Sequence, residues 1–118
     1  MTKKELKPAI VFEEFAKINQ IPRPSKHEEK IIAYLKGVGE ELGLETDVDE
    51  TGNVVIRKPA TPGMENKPTV IIQSHMDMVC ESLHGKEIDF MNDPIETYID
   101  GEWLCADRTT LGADDGIG

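Results

Sequence analysis

The stretch Val70–Cys80, VIIQSHMDMVC, decides the fold class of this chain. It begins with strand-forming apolar residues and then places His75 and Asp77, one residue apart, directly after them. A near-continuous apolar run is typical of a strand buried on both faces of a sheet. We therefore predict a central strand over 69–75 with His75 at its carboxyl end, where open α/β sheets bind ligands.

Two amphipathic helices are predicted before this strand. Residues 8–19 place apolar side chains on one helical face, and Pro8 suits a first turn. The segment IPRP (21–24) then breaks the chain, because proline disfavours helix at the residue before it. Ser25 followed by Glu28 predicts a capping box that begins the second helix.

Short strands make up the rest of the pattern. Residues 45–50 and 53–59 are predicted strands on either side of a turn, and Asp100-Gly101 between two alternating runs predicts a hairpin. This order of elements predicts an α/β domain, a layered sheet with flanking helices, for residues 1–118.

Composition excludes several classes of partner. The net charge of −10 over 118 residues argues against nucleic acid and anionic membranes, because both attract basic surfaces. No apolar run approaches the roughly 18 residues of a membrane span, and the N-terminus has no secretory signal pattern. The two cysteines form no disulfide framework, so we expect reduced thiols in a cytoplasmic protein.

His75 and Asp77 are candidates for metal chemistry. In an extended segment their side chains point to the same side, so an imidazole could bind zinc while the carboxylate orients the ring. The alternative is a histidine hydrogen-bonded to backbone with Asp77 starting a turn. A triad of Ser74, His75 and Asp77 is not expected, because sequence neighbours rarely reach that geometry and no nucleophile elbow is present.

A second acidic cluster lies near the end of the chain. Asp114 and Asp115 are flanked by Gly112 and Gly116, which suits either a solvated turn or a loop that brings carboxylates to a cation. A single carboxylate can bridge the two metals of a two-metal hydrolase.

The remaining candidates have plainer readings. Cys80 is either a metal ligand or a buried structural thiol. His27 is a predicted surface residue, and His84 is predicted to lie in a loop. Residues 108–110 either contact substrate or support the turn before the glycine-rich loop.

These pieces together resemble a known family. VIIQSHMDMVCE, followed by DPIETYIDGEWLCADRTTLGADDGIG, resembles the start of the M20 metallopeptidases and, more narrowly, the aminoacyl-histidine (Xaa-His) dipeptidases. The opening FEEFAKINQIPRPSKHEEKI resembles the front of the same enzymes. The resemblance implies that residues 1–118 are the N-terminal part of a zinc-peptidase catalytic domain. It further implies that the rest of that domain and a dimerisation domain are absent.

The resemblance also assigns roles to residues. His75 matches a ligand of one zinc ion, Asp77 matches the carboxylate in the catalytic site that orients this histidine, and Asp114 matches the aspartate that bridges two zinc ions. Asp115 stands where the subfamily usually carries Asn. The general-base glutamate and the remaining ligands would lie beyond Gly118. Histidine and carboxylate ligands also suit Mn²⁺ or Co²⁺.

The function implied is that of a zinc-dependent dipeptidase that hydrolyses Xaa-His and related dipeptides through a metal-bridged water. The full-length protein is expected to be a cytoplasmic homodimer, and the fragment alone is expected to be inactive. The alternative is a non-catalytic binding or interaction domain derived from the same fold.

Overall fold

The computed structural model describes residues 5–118. Its elements, in chain order, are α1 (Ala9–Asn19), α2 (Glu29–Glu41), β1 (Glu45–Val48), β2 (Val54–Arg57), β3 (Thr97–Asp100), β4 (Trp103–Ala106) and a single turn, α3 (Ala113–Gly116). Asp114 and Asp115 have non-helical backbone angles within that turn. Helices and strands therefore both occur, as the sequence predicts.

The two long helices lie where they are predicted, but the second begins differently. In α1, Pro8 occupies the N-cap position and Phe15 is buried. In α2, Glu28 occupies the N-cap position without a side-chain capping bond. The capping-box prediction is wrong, because Ser25 accepts no hydrogen bond from the first turn of the helix and its hydroxyl instead donates to Asp77.

The first predicted pair of strands forms an antiparallel hairpin. The β1–β2 register runs from Glu45 opposite Arg57 to Val48 opposite Val54. The Asp49 carboxylate stabilises the intervening turn by accepting hydrogen bonds from the backbone N–H groups of residues 51, 52 and 53. This is the local turn chemistry that Asp favours.

The second predicted hairpin is also present, displaced by one residue. Asp100 pairs with Trp103 at the end of the β3–β4 ladder, so the two loop residues are Gly101 and Glu102. Gly101 has a φ of +57°, and glycine adopts the positive φ of such tight turns at little steric cost.

The predicted central strand over 69–75 is wrong for the described chain. These residues belong to no strand, and Val70, Ile71 and Ile72 are 81%, 86% and 89% exposed. The four strands of residues 5–118 form two separate two-stranded sheets, and neither includes this segment. A strand forms only when a neighbour pairs with its backbone, and an apolar run supplies no such neighbour by itself.

The buried core is small. Among the described residues it contains the apolar side chains of Phe15, Ile31, Met78 and Ile95. The accessible surface is 8900 Å², whereas a compact 13.1 kDa monomer exposes roughly 6,400 Å². The radius of gyration of 16.4 Å likewise exceeds the roughly 13.5 Å of a compact domain of this length. Much apolar surface is therefore uncovered in this chain.

Candidate metal centre

His75 lies between two carboxylates. Its Nε2 atom is 2.9 Å from Oδ1 of Asp114, a residue 39 positions further along the chain. Its Nδ1 atom is 3.0 Å from the backbone oxygen and 3.2 Å from Oδ1 of Asp77. The structure therefore brings together the three residues that the sequence predicts for the site.

Hydrogen bonds in the site shift the pKa values of His75 and Asp77 in opposite directions. The hydrogen bond from His75 to Asp114 is the main cause that raises the pKa of the imidazole above its usual 6.5, and the bond to the Asp77 backbone adds to it. The Ser25 hydroxyl, whose Oγ lies 2.5 Å from Asp77 Oδ2, is the main cause that lowers the pKa of Asp77. Asp77 therefore stays ionised behind the histidine.

This donor set fits a zinc ion. When Nδ1–H donates to Asp77, the Nε2 lone pair is free for a metal on the side where Asp114 lies. Two ligands bound at about 2.0–2.1 Å to a tetrahedral ion lie roughly 3.3 Å apart, a few tenths of an ångström more than Nε2 and Oδ1 do here. Within residues 5–118, however, no group of three or more His, Cys, Asp or Glu side chains converges on one point.

The geometry distinguishes the two adjacent aspartates. Asp114 contacts His75, and its side chain is 96% exposed. The Asp115 carboxylate is directed toward Gly118 and lines a groove of about 350 Å³ that His75 also borders. Asp114 is therefore the member of the pair that shares a site with His75.

The other candidates lie apart from this centre. Among the described residues, Ser74 makes no hydrogen bond with His75. His27 is exposed and His84 lies in a turn outside the helices and strands, both as predicted. Cys80 is a free thiol whose Sγ lies 3.7 Å from the Met78 oxygen, and partial burial raises its pKa. A thiol held protonated is a poor metal ligand, so the structural reading of Cys80 fits better.

The segment 108–110 supports the turn. The Thr110 hydroxyl donates to the Val79 oxygen at 2.7 Å, and the Thr110 N–H donates to the Glu81 oxygen at 2.9 Å. These bonds join the chain after Asp77 to the chain before Asp114. The two loops of the site are thus tied together on one side.

Sequence reasoning missed two contributors, Arg23 and Ser25. Arg23 is 1% exposed and donates to the backbone oxygens of Met76, at 3.2 Å, and Gly112, at 2.9 Å. Arg23 lies in IPRP (21–24), which the sequence predicts only as a chain break, and Ser25 is predicted only as the start of a capping box. Both residues lie in the opening segment that resembles dipeptidases, and this resemblance was the one sequence signal that could have indicated them. The contacts of Arg23 span 53 and 89 positions, so no local pattern predicts them.

Two known proteins are similar to this chain in sequence. The chain is 50% identical over 114 residues to the cytosol non-specific dipeptidase of Escherichia coli (strain K12), covering 97% of this chain and 24% of that protein. It is 28% identical over 117 residues to the uncharacterized protein YqjE of Bacillus subtilis (strain 168), covering 92% of this chain and 28% of that one. No protein-family model matches the chain.

A solved structure is also similar. The crystal structure of aminoacylhistidine dipeptidase from Vibrio alginolyticus matches with a TM-score of 0.93 and 51% identity, covering 98% of this chain and 24% of that one. The resemblance and the α/β class predicted from the sequence are therefore confirmed. The chain spans about a quarter of the length of these two dipeptidases. In the part of the chain described here, no helix is long and apolar enough to cross a membrane.

Proposed function

We propose that this chain is the N-terminal part of the catalytic domain of a metal-dependent dipeptidase, in which His75 and Asp114 bind zinc. The observation that carries the proposal is the 2.9 Å approach of His75 Nε2 to Asp114 Oδ1 across 39 positions of sequence. The similarity to two dipeptidases over nearly the whole chain supports it.

Each side chain has a distinct role in this proposal. The backbone oxygen of Asp77 lies 3.0 Å from Nδ1 and its Oδ1 lies 3.2 Å from the same atom, so an Nδ1–H that donates to Asp77 holds His75 in the tautomer that presents Nε2 to a metal. Asp114 supplies an oxygen ligand able to bridge two ions. When bound, zinc supplies Lewis-acid polarisation of a peptide carbonyl and lowers the pKa of its water. Mn²⁺ or Co²⁺ would suit the same ligands.

The proposed substrates are dipeptides. One relative is named for non-specific dipeptide hydrolysis and the other for aminoacyl-histidine, so we propose Xaa-His and related dipeptides as a class. We further propose a cytoplasmic protein, in line with the name of the Escherichia coli relative, and a homodimer of the full-length protein.

The test is hydrolysis of an Xaa-His dipeptide by the zinc-loaded full-length protein. We expect His75→Ala and Asp114→Ala each to abolish turnover, because each removes a metal ligand, while the far-ultraviolet circular dichroism stays unchanged. His84→Ala is the matched control, since His84 is an exposed histidine outside the site. Full activity of either ligand variant would refute the assigned roles.

The 118-residue chain by itself is expected to be inactive. A catalytic zinc site takes three protein ligands per metal, and His75 and Asp114 supply fewer than one site needs. Added zinc should therefore produce no dipeptide hydrolysis by the isolated chain. Measurable turnover by the isolated chain, lost in His75→Ala, would disprove this part of the proposal.

A further inference from the structure

Arg23 is a buried cation that forms no salt bridge among the described residues, although the charge of Asp77 acts on it. Its side chain is 1% exposed, and its Nε atom has no hydrogen-bond partner within the described chain. Burying an unpaired charge is costly, so such a residue needs a compensating role. The contacts it does make are to the backbone oxygens of Met76 and Gly112.

Those two oxygens flank the proposed metal ligands. Met76 directly follows His75, and Gly112 lies two residues before Asp114. The planar guanidinium directs its two terminal nitrogens to separate acceptors in a fixed geometry, which an ammonium group cannot do. Arg23 therefore sets the distance between the two loops that carry His75 and Asp114.

The glycines of the second loop make room for this guanidinium. A Cβ atom at Gly112 would lie 2.5 Å from Arg23 Nη2, and one at Gly116 would lie 2.8 Å from the same atom. The glycine-rich character of the loop is thus explained by the close approach of Arg23, in addition to the turn that it makes.

Ser25, two residues after Arg23, contacts Asp77, the third residue of the site. Its hydroxyl donates to Asp77 Oδ2 at 2.5 Å, while the other oxygen, Oδ1, faces His75 Nδ1. The segment itself is anchored by two backbone bonds, from Met78 N–H to the Arg23 oxygen and from Ser25 N–H to the Met78 oxygen. The segment, its anchor and the site thus form one hydrogen-bonded unit.

We propose that the segment Arg23–Ser25 is the positioning element of the metal centre. Arg23 fixes the backbone beside both ligands, and Ser25 fixes the carboxylate that orients His75. This inference rests on the proposed function, since it concerns metal binding by His75 and Asp114. Neither residue touches the metal; both act through the residues that they hold.

The test measures zinc affinity of the full-length protein by competition with a chromophoric chelator. We expect Ser25→Ala and Arg23→Lys each to weaken zinc binding by about 10- to 100-fold, the usual effect of removing a partner of a metal ligand. Ser25→Thr should restore affinity, because it keeps the hydroxyl. Ser74→Ala is the control, since it removes a hydroxyl from the same loop as His75 without a contact to the ring.

A second readout separates positioning from a purely structural role. If Arg23 only supported the fold, Arg23→Lys would lower the melting temperature equally with and without zinc. A positioning role instead reduces the increase in melting temperature that zinc produces, because that increase depends on affinity. The zinc-induced increase in melting temperature can also be compared between Ser25→Ala and Ser25→Thr. These variants carry a smaller risk of misfolding, since Ser25 is exposed.

The outcomes are distinguishable. Wild-type zinc affinity in Ser25→Ala and Arg23→Lys, with loss of binding in His75→Ala and Asp114→Ala, would overturn this inference and leave the proposed function in place. Unchanged binding in His75→Ala and Asp114→Ala would overturn the proposed function itself. Weakened binding in Ser25→Ala, restored in Ser25→Thr, would support the positioning role.

Discussion

Replacing Gly112 with alanine tests how closely the second loop of the site packs against Arg23. A Cβ atom there would lie 2.5 Å from Arg23 Nη2 and 2.8 Å from Met78 Sδ, both closer than real Cβ atoms approach. The residue also has a φ of +73°, which alanine adopts only at a cost of about 1–2 kcal/mol. Overpacking a filled site typically adds about 1–3 kcal/mol.

The expected loss for Gly112→Ala is therefore about 2–5 kcal/mol in the free energy of unfolding. Gly43→Ala is a matched control, because Gly43 has a similar φ of +68° but nothing within 4 Å of an added Cβ. It should lose only the backbone cost of about 1–2 kcal/mol.

Urea denaturation of the full-length protein measures both variants, and the comparison holds when their m-values agree. The difference between the two variants isolates the steric contribution, since the backbone cost is shared. Equal losses for Gly112→Ala and Gly43→Ala would refute the close approach of Arg23 to the loop.

Two further predictions concern protonation and the core. Asp114→Asn should lower the pKa of His75 toward about 6.5, as followed by nuclear magnetic resonance titration of the metal-free protein, and an unchanged pKa would contradict the contact. Because the folded-state pKa of His75 is raised, its contribution to stability is complete below about pH 6.5 and is lost as the pH rises through the folded-state pKa. Ile31→Ala, at a side chain 1% exposed, should cost about 2–5 kcal/mol in urea denaturation. Ile10→Ala changes a side chain that is 68% exposed, so its free energy of unfolding should stay within about 0.5 kcal/mol of the unsubstituted protein. Equal losses for the two variants would show that Ile31 is not part of the core.

Local chemistry made part of this structure predictable from the sequence. The two hairpins follow from turn residues such as Asp49 and Gly101, whose backbone or side-chain preferences act within a few positions. The helices α1 and α2 follow from apolar periodicity. His75 and Asp77 could be paired because residues two apart in an extended segment share a side.

The tertiary structure decided what depends on distant partners. The segment 69–75 is apolar enough for a buried strand, yet its backbone finds no neighbour in residues 5–118 and it stays exposed. Ser25 had two possible partners, the N–H donors at the start of a helix and a carboxylate 52 positions away, and only folding selects Asp77.

What the sequence by itself determined is the set of candidate site residues, together with the two long helices and the two hairpins. What only the tertiary structure decided is their arrangement: the contact between His75 and Asp114, and Arg23 joining both loops. The physical reason is that side-chain type and short-range backbone preference are encoded over a few residues. Contacts across 39 to 89 positions depend on how the whole chain closes.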